Sequence, residues 1–332
     1  MLEFKRNGAI IASGMAVPDR IVPNSYFNEL LGEDVDTWLR NNVQIYNRRW
    51  LSDGESMADL IETACLQAME RGNIKAEEID LLIIATDTPE YVSPATASVI
   101  QDRLKLINAG TFDLNAACSG FVAALDTASK YIQADSQYHN VMVVGAYAMS
   151  RYLDVKDKKT ATLFADGAAA VILKAETDGR GLLQSQLSAL GEYNSWMGIY
   201  AGGSAQPVTR EVLEAGGEKL QFVKKIPTEI NPARWEQMIR TLCDREGINV
   251  IDVSHFFFTQ ININTIWQTL DALEVPRERA ATVMHEYGYT GSAAIPMAFD
   301  SRYSKQEIKS GELAVFMGSG GGLAFGAALF RM

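Results

Sequence analysis

The stretch Asp113-Leu-Asn-Ala-Ala-Cys-Ser-Gly-Phe-Val-Ala-Ala-Leu125 passes from an extended, mixed segment into an alanine-rich one and places a thiol at the junction. A helix starting there would aim the positive end of its dipole, and its free N–H groups, at Cys118. That setting stabilises a thiolate, lowers its pKa and offers amides to a developing oxyanion. The plainer alternative is a small residue buried in a tightly packed helix. The local sequence leaves both readings open.

The surrounding pattern occurs twice. Ile79–Thr86 and Val253–Thr259 are apolar runs of the kind that form strands covered on both faces. Each follows a helical stretch. The first runs from Met57 to Arg71, with Met57, Leu60, Ile61, Ala64 and Ala68 on one face and Ser52…Glu55 as a capping box ahead of it. The second opens on Asn231-Pro232, an N-cap and N1 pair, and continues through Trp235, Met238, Ile239 and Leu242. Small-residue turns follow each strand, Asn115–Ala124 and Tyr287–Ala298, and each half ends in a glycine-rich β segment, Ala161–Leu173 and Leu313–Leu329. The reading is an α/β fold duplicated along the chain, with residues 1–178 as the half carrying the thiol and 179–332 as the second half. Helices with small residues all round are expected to be buried between two sheets. Leu190–Lys225, rich in glycine and polar residues, reads as a long loop near a site or an interface.

The 332 residues are 47% hydrophobic and 21% charged, as in a soluble globular protein, with a net charge of −11. That charge argues against nonspecific binding to nucleic acid or to an anionic membrane. Lys5-Arg6 followed by Asn7–Ala16 is short and interrupted by glycine, so a first strand is expected there rather than a signal peptide. No apolar run approaches the ~20 residues of a membrane span. Cys65, Cys118 and Cys243 are too sparse for a disulfide framework or a zinc site and fit a reducing cytoplasm; His139, His255 and His285 share no ligand spacing. Gly320-Gly321-Gly322 lies too near the end of the chain to open a dinucleotide-binding unit. It either presents backbone amides to a ligand or makes a tight turn.

Asn115-Ala-Ala-Cys118-Ser-Gly-Phe resembles the nucleophile motif of the β-ketoacyl-acyl-carrier-protein synthase III family, within the thiolase-like superfamily. Ile45-Tyr-Asn-Arg48-Arg49-Trp, Phe164-Ala-Asp166-Gly-Ala-Ala and Gly320-Gly-Gly-Leu-Ala-Phe-Gly326 extend the resemblance over nearly the whole chain. The resemblance implies a five-layer αβαβα fold, a homodimer, and an acyl group carried on Cys118 from acyl-CoA or acyl carrier protein. It implies no metal or redox cofactor; coenzyme A or phosphopantetheine enters as part of the substrate. By position it gives the amides of Cys118 and Gly321 the oxyanion hole, Phe164 the active-site lining, Trp38 the adenine of coenzyme A, and Lys158 the phosphates at the tunnel mouth.

The chain departs from the family in the second half of the site. Where the family has His-Gln-Ala-Asn, this sequence has Thr259-Gln260-Ile261-Asn262; where it has Gly-Asn-Thr, this sequence has Gly288-Tyr289-Thr290. Thr259 and Tyr289 thus replace the His and Asn that assist decarboxylation. Threonine is no base near neutral pH, but both hydroxyls can donate hydrogen bonds to an enolate oxygen. Two arginines that serve carrier docking and the adenine site become Asn264 and Asn42. His255 lies roughly 13 Å up a regular strand from Thr259, and His285 and Glu286 precede the turn, so none is a direct substitute base. The expectation is an acyltransferase passing an acyl group from Cys118 to a malonyl thioester, an alcohol or an amine. The alternatives are a degenerate subunit of an active synthase, or thioester hydrolysis.

Overall fold

This computed structural model describes residues 5–332; the opening four residues of the expected N-terminal half lie outside the described residues. The first sheet is built from Asn7–Ala16 (β1), Leu81–Ala85 (β2), Gly110–Leu114 (β3), Asn140–Ala148 (β4) and Asp166–Glu176 (β5), in the order β1-β5-β4-β2-β3. β2 runs parallel to β3 and β4, whereas β5 is antiparallel to β4 and β1. The second sheet contains Gly181–Ala189 (β6), His255–Phe258 (β7), Leu313–Gly320 (β8) and Ala324–Arg331 (β9), in the order β7-β8-β9-β6. β7 and β8 are parallel and the other pairs antiparallel. Strand for strand, β6, β9, β8 and β7 take the places of β1, β5, β4 and β2. An isolated parallel bridge between Phe256 and Ala280 stands where β3 would follow.

The helices complete five layers. Met57–Gly72 (α1) and Thr96–Leu104 (α2) cover the outer side of the first sheet; Gly120–Ala134 (α3) lies between the sheets. Ile230–Glu246 (α4) covers the outer side of the second sheet with Ile263–Leu273 (α5) packed on it, and Ala294–Tyr303 (α6) shares the middle layer with α3. This is the thiolase-like α/β arrangement. Every residue of β2 is buried, because helices cover both faces of its sheet, and so an unbroken apolar run folds as a strand. α3 buries Phe121, Val122, Ala123, Ala124 and Ala128, and its small side chains let both sheets close on it.

Several local expectations shift. The capping box of α1 is Ser56 with Asp59: Asp59 donates its N–H to Ser56 Oγ at 3.3 Å, and Ser56 donates its own to the Asp59 carboxylate at 2.7 Å. Glu55 instead accepts from the Ser52 N–H at 2.6 Å and closes the preceding turn. α4 starts at Ile230 with Glu229 as N-cap, so Asn231 and Pro232 sit inside the first turn, where a proline's missing N–H leaves no helix bond unmade. The Leu190–Lys225 loop carries a short ladder, Met197–Gly198 on Gln221–Phe222, and a helix at Arg210–Glu214. No helix among the described residues is long and apolar enough to cross a membrane.

Candidate active site

The thiol sits on a turn held from within. Ala117 donates its N–H to the Asn115 side chain at 3.0 Å, and the Ser119 hydroxyl donates to the Ala116 carbonyl at 2.7 Å. Ala117 itself adopts a left-handed φ of 47°, a conformation a side chain rarely takes. The turn therefore lifts Cys118 just ahead of α3, whose N-cap is Ser119. β8 presses against this turn. A Cβ on Gly320 would lie 2.6 Å from the Cys118 nitrogen, and one on Gly318 2.9 Å from the Ser119 Cα. Gly322, with φ of 107°, turns β8 into β9. The amides of Cys118 and Gly321 donate to no backbone carbonyl among the described residues.

A cavity of about 540 Å³ leads from the exposed Trp38, Lys158 and Lys224 to the buried Cys118, Thr259 and Tyr289. Asn262 and Gly320 also line it; Gly321 and Phe164 do not. Phe164 is fully buried behind Tyr289, with ring centroids 5.2 Å apart, so it supports the wall rather than forming it. Trp38 stands on the short helix Asp36–Asn42. Lys158 bonds Glu33 at 2.8 Å across the mouth. Asn262 caps α5 by accepting from the Asn264 N–H at 2.9 Å, and the Asn264 amide donates to the Asn42 carbonyl at 2.7 Å. Asn42 and Asn264 thus meet each other.

Thr259 does not offer a free donor. Its hydroxyl donates to the Ser319 carbonyl at 3.3 Å and accepts from the Ser319 N–H at 3.0 Å, tying β7 to the end of β8. Tyr289 lines the cavity with Cys118, and the hydroxyls of Tyr289 and Tyr147 favour the thiolate. Burial pushes the Cys118 thiol up to about 12, the charge of Asp87 adds to the rise, and the two tyrosine hydroxyls oppose it. The lowered pKa expected from the helix terminus is thus corrected: removing the sulfur from water outweighs the favourable hydrogen bonds. Cys65 and Cys243 are buried in α1 and α4, away from the cavity.

The remaining motif residues hold the frame. Asp166 accepts from the N–H groups of Leu51 and Ser150, each at 2.8 Å, and from the Ser150 hydroxyl. The buried Arg48 donates to the Val22 carbonyl and the Asn24 side chain. His255 pairs with Glu312 at 2.9 Å, and Glu286 lies 3.9 Å from Arg49, so neither reaches the thiol. The His285 carbonyl accepts from Tyr46 outside the cavity lining. The sequence reading missed Asp87, Tyr147, Met197, Phe222 and Lys225. For Asp87 a signal existed: a carboxylate two residues beyond a fully apolar parallel strand lies where such sheets place their ligands.

Two family models match the chain. That for 3-oxoacyl-[acyl-carrier-protein] synthase III covers residues 112–191, and that for its C-terminal region covers residues 243–332. Over 323 residues the chain is 34% identical to a β-ketoacyl-[acyl-carrier-protein] synthase III of Aliarcobacter butzleri, with 96% of each chain covered. It is 30% identical over 322 residues to one of Clostridioides difficile, with 97% of each covered. The crystal structure of 3-oxoacyl-[acyl-carrier-protein] synthase III from Aquifex aeolicus superposes with a TM-score of 0.89 at 28% identity, over 98% of this chain and 100% of that one. With the same fold and matches spanning its length, the chain belongs to the β-ketoacyl-acyl-carrier-protein synthase III family of the thiolase-like superfamily.

Proposed function

We propose that this chain is an acyltransferase of the 3-oxoacyl-acyl-carrier-protein synthase III type, with an atypical second half of its active site. Cys118 attacks the carbonyl of an acyl thioester of coenzyme A or carrier protein, and the Cys118 and Gly321 amides hold the oxyanion. Trp38 receives the adenine. Lys158 receives the phosphates after leaving Glu33. Asn262 and Tyr289 flank the thioester arm, and Phe164 keeps the Tyr289 ring in place. A second substrate then takes the acyl group, either a malonyl thioester giving a 3-oxoacyl product or an alcohol or amine. In that step Tyr289 is the hydroxyl donor, and Thr259 serves by fixing Ser319 beside the glycine turn.

The observation that carries this reading is the single cavity joining an exposed tryptophan and lysines to a buried thiol. Intact-protein mass spectrometry after incubation with a panel of acyl-CoA thioesters tests it. One acyl increment is expected, absent in Cys118→Ala and retained in Cys65→Ala and Cys243→Ala; an increment persisting in Cys118→Ala would refute the covalent step. A second reading, a structural or regulatory subunit of an active synthase, is favoured by the raised thiol pKa and the occupied Thr259 hydroxyl. It requires that no thioester on the panel leave an increment.

A further inference from the structure

Arg48 takes no part in the acyl transfer proposed for Cys118, yet it is fully buried on the short helix Asn24–Leu31. Its guanidinium lies 4.8 Å from the centre of the Phe27 ring and donates to the Val22 carbonyl at 3.2 Å and to the Asn24 side chain. Nε has no hydrogen-bond partner, and no carboxylate among the described residues pairs with the group directly. A buried charge left so is costly unless something further off compensates it. Here the compensation passes through one amide: Asn24 accepts from Arg48 at Oδ1 and donates from Nδ2 to the Asp36 carboxylate at 2.7 Å. Burial pulls the Arg48 pKa down to about 9 and Asp36 opposes the fall, so the guanidinium is charged at neutral pH.

The two ends of this chain bear on opposite ends of the cavity. Asp36 opens the helix Asp36–Asn42, which brings Trp38 to the mouth and leads into Val43, another lining residue. With seven residues that helix is too short to hold its place unaided. The Val35 and Asp36 N–H groups donate to Asn28 at 2.9 and 3.2 Å, Arg40 pairs with Asp36 at 2.8 Å, and Asn264 holds the far end at the Asn42 carbonyl. At the other end, Arg48 is pressed against the turn that carries Tyr289. A Cβ on Gly288 would lie 2.7 Å from the Arg48 Cβ, and Tyr46 donates its N–H to the His285 carbonyl at 3.1 Å.

We propose that Arg48 is a positioning residue: through Asn24 and Asp36 it fixes the Trp38 helix at the mouth relative to the Tyr289 turn at the thiol, and so sets where the nucleotide half of coenzyme A sits when its thioester reaches Cys118. This rests on the mouth receiving coenzyme A. A displaced mouth helix costs contacts to the nucleotide and leaves the thioester end of the cavity as it was. Donors with and without the nucleotide should therefore respond differently to the loss of the chain.

The test measures the second-order rate of Cys118 acylation by acetyl, butyryl and octanoyl thioesters of coenzyme A and of pantetheine, which lacks the nucleotide. Beside it, hydrogen exchange without substrate follows the Leu39 and Val43 amides, which bond to Val35 and Leu39 within the mouth helix. Arg48→Met and Asp36→Ala should each speed that exchange and slow the coenzyme A donors about tenfold, the size of one hydrogen bond to a charged group, with the pantetheine donors at the parent rate. The double variant should be no slower than either single one, because both cut the same chain. Asp36→Asn keeps an oxygen that accepts from Asn24 and should restore most of the rate. Arg40→Ala removes only the outer ion pair and should match the parent. Asp36 lies at the solvent end of the chain, so its variants carry the test if Arg48→Met does not fold by circular dichroism. Unchanged exchange in Asp36→Ala overturns the proposal, as do equal losses with both kinds of donor or an Arg40→Ala that behaves as Asp36→Ala does. If exchange follows the expected pattern but the parent forms no acyl adduct with any of the thioesters, the acyl-transfer reading falls and the tether from Arg48 to the mouth helix stands.

Discussion

A threonine hydroxyl has one proton to give, and Thr259 gives it to the Ser319 carbonyl while accepting from the Ser319 amide. Thr259 therefore acts on the backbone of β8 and not on a substrate oxygen. Tyr289 differs, because it is buried, lines the cavity with Cys118, and carries a hydroxyl that favours the thiolate. The two residues should separate in experiment. Tyr289→Phe should lower turnover of the acyl-enzyme by about 10²–10³, or roughly 3–4 kcal/mol, the usual loss for one oxyanion donor, with acylation itself nearly intact. Thr259→Val strands the buried Ser319 N–H and should lower stability by about 1–3 kcal/mol, while Thr259→Ser keeps the parent value. Acyl-enzyme formation by mass, product release with malonyl thioester or simple alcohols and amines, and urea denaturation read the three effects. A Tyr289→Phe enzyme that releases product at the parent rate would show that its hydroxyl takes no part.

The element that decides the site's shape is β8, whose glycines admit the nucleophile turn. Gly320→Ala would drive a methyl into backbone 2.6 Å away, with no flexible side chain to yield, so it should lose stability by about 1–3 kcal/mol and acylate poorly. At Gly321 the nearest atom to an added Cβ is the Met197 carbonyl at 3.5 Å, so Gly321→Ala should keep the parent's melting temperature. Calorimetry on the two variants distinguishes close approach from a general intolerance of the glycine run. Much of this level was legible in the chain: apolar strands, the start of α1 at Met57 and small-residue helices between sheets all follow from side-chain pattern. What was not legible depends on contacts distant in sequence. The Ser319 partner of Thr259 lies 60 residues away. Asp87 approaches Cys118 only because β2 and β3 end side by side. The thiol's raised pKa depends on the depth at which the finished core buries it, whereas the sequence supplied only the helix terminus that opposes the rise. The matched strand orders of the two sheets support, as our proposal, a duplication divided near residue 178, in which the second half keeps only the Ala280 bridge in place of its outermost strand.

At the scale of the molecule, β3 is the open edge of the first sheet, hydrogen-bonded to β2 on one side only. Monomeric proteins protect such edges with charge, proline or a covering loop. Here the strand is Gly-Thr-Phe-Asp-Leu, and its single acid is already engaged: Asp113 accepts from the N–H groups of Thr96 and Ala97 at 2.6 and 2.8 Å, capping α2. Apolar surface lies in the flanking segments, with Ile107 72% exposed and Val92 91% exposed. Phe112 continues into a row of aromatic contacts through Tyr131 to Tyr138. A two-fold axis beside β3 would let it pair antiparallel with its copy and cover this face, joining two first sheets into one. Because β3 runs directly into Asn115-Ala-Ala-Cys118, the same contact would brace both nucleophile turns. We therefore expect light scattering to give about twice the chain mass of 36.5 kDa at micromolar concentration. Phe112→Asp should shift the protein toward monomer, and acylation of Cys118 should fall with it. A parent that elutes as a monomer would contradict the pairing. A monomeric Phe112→Asp that acylates at the parent rate would mean that each chain holds its own nucleophile turn in place without help from a second copy.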